Sequence, residues 1–324
     1  MKRQIRIPLV IFALAMLALL LAAAVAILSD HSANTAPQRV NIPESTSFPA
    51  LLDSLDAHGV ISSSSFSSQG FVMLSRIRGL HSHVHPGSYL LPARMPVVAL
   101  VQKLYRAQQD PIRLTIGKFR LPADLDAYLS ARLMHSGFLI PDSLFHIVRP
   151  DTYEVYWTIT PSQFLLRMQS EYDRFWNRRS PHPSLSNRQV IILASIVDEE
   201  TNANEEKPLI ASVYLNRLRL GMPLQADPTV KYAVGDFSLR RILGVHLSVQ
   251  SPYNTYLHTG LPPSPICLPS ASSVDAVLNA PSTPYLYFCA SPLLDGRHLF
   301  AATLAEHNRN AARFHAALNA RGIH

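Results

Sequence analysis

Ser186-Asn187-Arg188-Gln189-Val190-Ile191-Ile192-Leu193-Ala194-Ser195-Ile196-Val197-Asp198-Glu199-Glu200-Thr201 is the stretch on which the reading of this chain turns. Ser186 followed three residues later by Gln189 is a capping-box start. Steps of roughly 100° per residue around a helix axis put Val190, Leu193, Ile196 and Val197 on one arc, the side that faces a core. Glu200 falls inside that arc, and Asp198 and Glu199 point elsewhere, towards water. A carboxyl on the buried side of a helix is costly to ionise, so its pKa rises. An acid that keeps its proton near neutral pH is what general acid catalysis needs. The plainer reading of the same wheel is a helix end whose acids are solvated.

Further motifs follow in order. Pro208-Leu209-Ile210-Ala211-Ser212-Val213-Tyr214-Leu215-Asn216-Arg217-Leu218 comes first, then Leu224-Gln225-Ala226-Asp227-Pro228-Thr229-Val230 and Tyr253-Asn254-Thr255-Tyr256. Gly260-Leu261-Pro262-Pro263-Ser264-Pro265-Ile266, Tyr285-Leu286-Tyr287-Phe288, Gly296, His298, Phe300 and Glu306-His307-Asn308 complete the series. In this order and spacing the chain resembles the MltG (YceG-like) family of endolytic murein transglycosylases. The strong resemblance covers residues 190 to 308, and a fainter one reaches back to residue 40.

Pro8 to Leu28 is an almost unbroken apolar run, and about 20 apolar residues cross a bilayer core. Lys2, Arg3 and Arg6 precede it and the first acid is Asp30, so the N-terminus is expected in the cytoplasm and the rest of the chain outside it. The competing reading is a cleaved signal peptide ending near Ala24-Val25-Ala26; the length of the run favours an uncleaved single-pass anchor.

Setting aside Lys2, Arg3 and Arg6, the 29 basic residues become 26 against 22 acids, a balance of +4. That charge is scattered and accompanies no nucleic-acid motif, so nucleic acid is not an expected partner. Cys267 and Cys289 either form a disulfide outside the cytoplasm or remain two free thiols. His81, His83 and His85 have no cysteine or carboxylate cluster beside them and read as a solvated edge, not a metal site.

The expected fold class is α+β: a single N-terminal transmembrane helix, a small LysM-like module and a mixed α/β catalytic domain. The boundaries are residues 1–7 for a cytoplasmic tail, 8–28 for the membrane helix, 29–38 for a spacer, 39–108 for the module and 109–324 for the catalytic domain. Within the module, strands are read at 39–43 and 88–91 and helices at 48–58 and 96–106, with a turn-rich stretch at 61–66. The LysM-like reading is implied by the family, which prefers a glycine turn where Glu44-Ser45 stands. Beyond it, a strand is read at 112–116 and helices at 122–133 and 161–178. Arg149-Pro150-Asp151-Thr152-Tyr153-Glu154 matches the family's Pro-Asp-Thr-Tyr turn.

After Glu200 a second helix is expected, capped by Asn204, with Pro208 in its first turn and Gly221 at its end. Asn216 and Arg217 are read as facing a cleft, with Arg217 otherwise an ordinary surface charge. Gln225, Asp227, Tyr253, Asn254 and Tyr256 supply the amides, carboxylate and flat aromatic faces that sugar sites use. The plain alternative for Tyr253 and Tyr256 is core packing with a satisfied hydroxyl. His298 and His307 read as structural hydrogen-bonding residues.

One buried acid, Glu200, in place of a spaced pair of carboxylates suits a lytic transglycosylase, and no cofactor or metal is implied. The resemblance implies an endolytic cut at the bond between N-acetylmuramic acid and N-acetylglucosamine. It implies 1,6-anhydro ends and termination of nascent glycan strands at the outer face of the cytoplasmic membrane, beside peptidoglycan synthases (penicillin-binding proteins). A muramidase-type hydrolase of the same bond and a non-enzymatic glycan-binding membrane scaffold are the rival readings.

Overall fold

In the computed structural model residues 6–62, 66–239 and 241–321 are described. The chain forms two units, one made of Met1–Leu114, Arg132–His135 and Glu154–Ile159, the other of Thr115–Ala131, Ser136–Tyr153 and Thr160–His324.

The first unit opens with α1 (Arg6–Ser29), followed by β1 (Gln38–Ile42), α2 (Phe48–Ala57), α3 (Phe66–Arg78), β2 (Gly87–Leu91) and α4 (Val97–Tyr105). Alternation in β1 sends Val40 and Ile42 inward. That strand pairs antiparallel with β2, Val40 facing Tyr89. Ser47 caps α2 through a hydrogen bond from Ala50 N, and Leu51 and Leu55 form its buried stripe. These residues share one core with Phe71, Leu91, Leu100 and Leu104. Where the family prefers a glycine turn, Ser45 takes a φ of 58°. The helix α3 was not expected: its serines and Gly70 hide the apolar period. The turn-rich stretch 61–66 falls in part on residues 63–65, which lie outside the described residues. Counted over the described residues alone, no helix is long and apolar enough to cross a membrane. The expected span over 8–28 lies in α1 and falls in part on residues whose side chains are outside the description.

β3 (Ile112–Ile116) and β4 (Asp151–Val155) form a two-stranded sheet. The helices α5 (Pro122–Arg132), α6 (Asp142–Phe145), α7 (Pro161–Trp176), α8 (Asn187–Glu200), α9 (Lys207–Arg219), α10 (Asp227–Val234), α11 (Gly244–Leu247) and α12 (Ala271–Leu278) follow, then β5 (Tyr287–Ala290), β6 (His298–Ala301) and α13 (Leu304–Ala320). This mixture of helices with small strand pairs is an α+β fold. The second core gathers Val190, Leu193, Ile196 and Val197 of α8 with Ile210 and Tyr214 of α9, Ile266, and Val274 and Val277 of α12.

The capping box forms as the sequence predicts: Ser186 Oγ accepts from Gln189 N, and Gln189 Oε1 accepts from Ser186 N at 2.9 Å. Asn204 does not cap α9, which begins after Glu206; its Oδ1 accepts from Ser272 Oγ instead. Gly221, at φ 66°, closes that helix. Cys267 is a buried free thiol and Cys289 a half-buried one, so the disulfide alternative is not realised.

Candidate active site

Every residue of α8 from Val190 to Asp198 is buried. The helix is therefore enclosed on all sides, which corrects the single-arc reading of its wheel. The cause lies in the run itself: Ile191, Ile192, Ala194 and Ser195 give the supposed wet side apolar or small residues. Ser195 Oγ donates to Ile192 O at 2.7 Å and accepts from Ile266 N at 3.0 Å, tying the helix to the proline-rich segment.

Asp198 and Glu199, expected to face water, do not. Asp198 is 7% exposed. Its Oδ1 accepts from Lys207 Nζ at 2.9 Å and Ser270 Oγ at 2.6 Å, and from Ser273 Oγ. Burial by itself raises this carboxyl's pKa. The hydrogen bonds from Ser270, Ser273 and Lys207, with the charge of Lys118, overcome that and hold it well below the usual carboxylate range. Lys118 Nζ also donates to Asp198 O at 2.8 Å, satisfying one of the carbonyls that a helix end leaves open. Glu199 pairs with Lys118 at 2.8 Å and with Arg120 at 2.8 Å. Two acids and three cations thus clamp the last turn of α8.

Glu200, one residue on, escapes that clamp. Its carboxyl sits at a cavity of about 180 Å³ lined also by Tyr214, Arg217, Leu224, Gln225, Asp227, Tyr256 and Phe288. Burial pushes its pKa up to about 7; a hydrogen bond from Tyr214 and the charge of Lys231 pull it down, and Asp227 and Glu199 push it up. The residue keeps partial solvent contact through the cavity while protein atoms desolvate the carboxyl. Glu200 is thus the acid of the last turn of α8 whose pKa is raised and which lines a cavity.

Of the residues read as substrate-binding, four share this cavity: Arg217, Gln225, Asp227 and Tyr256. Arg217 is no surface charge. It donates to Leu286 O at 2.7 Å, Leu224 O at 2.8 Å and Gln225 Oε1 at 3.2 Å, bracing the cavity wall. Gln225 adopts φ 53°, a left-handed backbone that costs a non-glycine residue about 1–2 kcal/mol. Tyr256 donates its hydroxyl hydrogen to Asp227 Oδ1 at 2.7 Å.

The other three lie elsewhere. Asn216 is not among the residues that line the cavity and donates to Thr283 O and Tyr285 O. Asn254 is fully buried and donates to Leu247 O and Val249 O, folding its own loop. Tyr253 packs on Tyr232 with ring centroids 4.6 Å apart, and its hydroxyl meets Ser264 Oγ at 2.6 Å; this is the core-packing alternative. His298 Nδ1 lies 2.9 Å from Glu206 Oε2, and His307 stacks on Tyr287.

Sequence reasoning missed Tyr214, Lys207, Lys118, Ser270 and Ser273. A signal existed for Tyr214, since Ile210, Val213, Tyr214 and Arg217 recur at helical spacing. None existed for Lys118, Ser270 and Ser273, which reach α8 from distant segments.

Fold and site together define the class: an α+β protein with a single elevated carboxylic acid at the mouth of a polar and aromatic cavity. The chain belongs to the YceG-like family, whose model matches residues 40–313. It is 37% identical over 150 residues to an endolytic murein transglycosylase of Bacillus subtilis (strain 168), covering 46% of this chain and 41% of that protein. It is 31% identical over 173 residues to an endolytic murein transglycosylase of Streptococcus pneumoniae serotype 2, covering 50% and 31%. These matches span less than half the length of the curated relatives. A crystal structure of a yceG-like protein from Listeria monocytogenes aligns with TM-score 0.48 and 25% identity over 85% of this chain and 99% of that one.

Proposed function

We propose that this protein is an endolytic lytic transglycosylase acting on peptidoglycan glycan strands. The observation that carries the reading is the Glu200 carboxyl, raised to about 7 at the cavity that Arg217, Gln225, Asp227 and Tyr256 line. The names of the relatives support it. Protonated Glu200 gives its proton to the oxygen that joins C1 of N-acetylmuramic acid to N-acetylglucosamine, and the C1–O bond breaks. The muramic N-acetyl group stabilises the cationic C1. The Glu200 carboxylate then takes the proton of the C6 hydroxyl as O6 bonds to C1, closing the 1,6-anhydro ring and restoring the acid. No water is consumed. Arg217, Gln225, Asp227 and Tyr256 are the groups that would contact the sugar.

The product decides between this reading and the hydrolase. Purified murein strands treated with the protein are expected to yield ends about 18 mass units lighter than hydrolysed ends, because an internal hydroxyl replaces water. Mass spectra showing only reducing ends would move the assignment to a muramidase.

Membrane anchoring by 8–28 belongs to the same proposal. It is supported by the basic Lys2, Arg3 and Arg6 and by the exposed Val10, Ile11, Phe12, Leu14, Leu17 and Leu19 of α1. The β1–α2–α3–β2 order of the first unit supports the LysM-like reading, and the family resemblance supports proximity to peptidoglycan synthases. A reporter fused after residue 324 is expected to be active only outside the cytoplasm; a mature chain that starts near Ile27 and washes off membranes would refute the anchor.

A further inference from the structure

We infer that Tyr214 is a positioning residue for the acid: its hydroxyl holds Glu200 Oε1, so that Oε2 alone gives and takes the proton in both half-reactions. This rests on the transglycosylase reading and adds to it the choice of oxygen.

Tyr214 Oη donates to Glu200 Oε1 at 2.5 Å, and among the described residues it is the carboxyl's hydrogen-bond partner. A protonated carboxyl has one hydroxyl oxygen and one carbonyl oxygen, and the carbonyl oxygen is the better acceptor. With Oε1 accepting from tyrosine, the acid proton sits on Oε2. The phenol cannot drift: the ring is 1% exposed and stands edge-on to Phe288, with centroids 5.8 Å apart and planes at 84°. It is also a permanent donor, because burial and the neighbouring Glu200 raise its pKa well above the ordinary tyrosine value. When Glu200 loses its proton to the leaving oxygen, the contact becomes charge-assisted and strengthens, so the bond favours the product state of the first step. The same fixed geometry returns Oε2 to the C6 hydroxyl in the second.

The other charged and titratable groups around this pair are Asp227 and Lys231 of α10, Glu199 on the same helix as Glu200, and Arg217 and Tyr256 near the phenol. Asp227, Lys231 and Glu199 act on Glu200 through charge, whereas Arg217 and Tyr256 act on the phenol. A change confined to the Tyr214 hydroxyl therefore has a signature of its own.

The test is a signed pair of variants. Tyr214→Phe keeps the ring and removes the donor. The alkaline limb of kcat/KM on murein strands, where Glu200 ionises, is expected to rise by about one to two pH units, the scale of one hydrogen bond to a charged group. The plateau kcat is expected to fall about tenfold, with KM unchanged. Replacing Tyr214 with 3,5-difluorotyrosine strengthens the donor at nearly the same volume and is expected to move the limb down. Carboxyl 13C titration of Glu200, its signal identified with Glu200→Gln, reads the same displacements without substrate or turnover. It therefore stands even if the products refute the transglycosylase reading. Equal Glu200 midpoints in the wild type and both variants would overturn the inference, as would midpoints that move in the same direction in both variants.

Discussion

Glu200→Gln is expected to lower turnover on murein strands by at least about a hundredfold, a common worth for general acid–base catalysis. The amide has no proton to give at Oε2, yet its carbonyl oxygen can still accept from Tyr214, so the cavity keeps its shape. The same substitution is expected to stabilise the fold at alkaline pH. The Glu200 pKa is raised from 4.5 to about 7 on folding, so the wild type holds its full stability from this group below about pH 4. It loses it as pH rises towards 7, by up to about 3 kcal/mol at roughly 1.4 kcal/mol per unit. Thermal melts at pH 4 and pH 8 read this directly: the variant gains over the wild type only at the higher pH. An active Glu200→Gln enzyme would remove the acid from the mechanism, and Glu199→Gln as the inactive variant would move it by one residue.

Asp198 carries the second large effect, on folding. Asp198→Asn leaves Lys207, whose side chain is 6% exposed, without its ionic partner. Removing one member of a buried pair costs about 3–5 kcal/mol, because the other charge stays buried without compensation. Lys207→Met is expected to cost a similar amount. The double variant is expected to cost less than the sum, since its two losses are of one interaction. The pH dependence has the opposite sign to that of Glu200. The Asp198 pKa is depressed on folding, so its stabilisation is complete above the unfolded value of about 4 and is lost only as pH falls below it. Urea titrations of wild type and Asp198→Asn are therefore expected to differ fully at pH 7 and to begin to narrow only below about pH 4, with most of the difference still present at about pH 3. A difference below about 1 kcal/mol at pH 7 would show that the clamp is not what secures the end of α8.

These two results describe one design at adjacent positions. Asp198 is ionised because four donors and cations surround it, and Glu200, two residues later on the same helix, resists ionisation because burial is its dominant influence. The rigid turn that holds the first presents the second.

The sequence by itself determined what depends on neighbours along the chain. The Ser186 to Gln189 box set the start of α8, the 100° step placed Glu200 beside Ile196 and Val197, and strand alternation set Val40 and Ile42 inward. The ordered motifs carried the family. Tertiary structure alone decided what depends on which segments meet. Asp198 was legible as an acid, but Lys118, Ser270 and Ser273, which make it a buried anion, lie 80, 72 and 75 residues away along the chain. Asn216, Tyr253 and Asn254 have the chemistry of sugar contacts, and the fold uses that chemistry on backbone carbonyls and a serine. A side chain's polarity is a local property. Whether that polarity faces a ligand or closes a loop is settled by which partner the packing brings within hydrogen-bond range, because a buried polar group must be satisfied by whatever surrounds it.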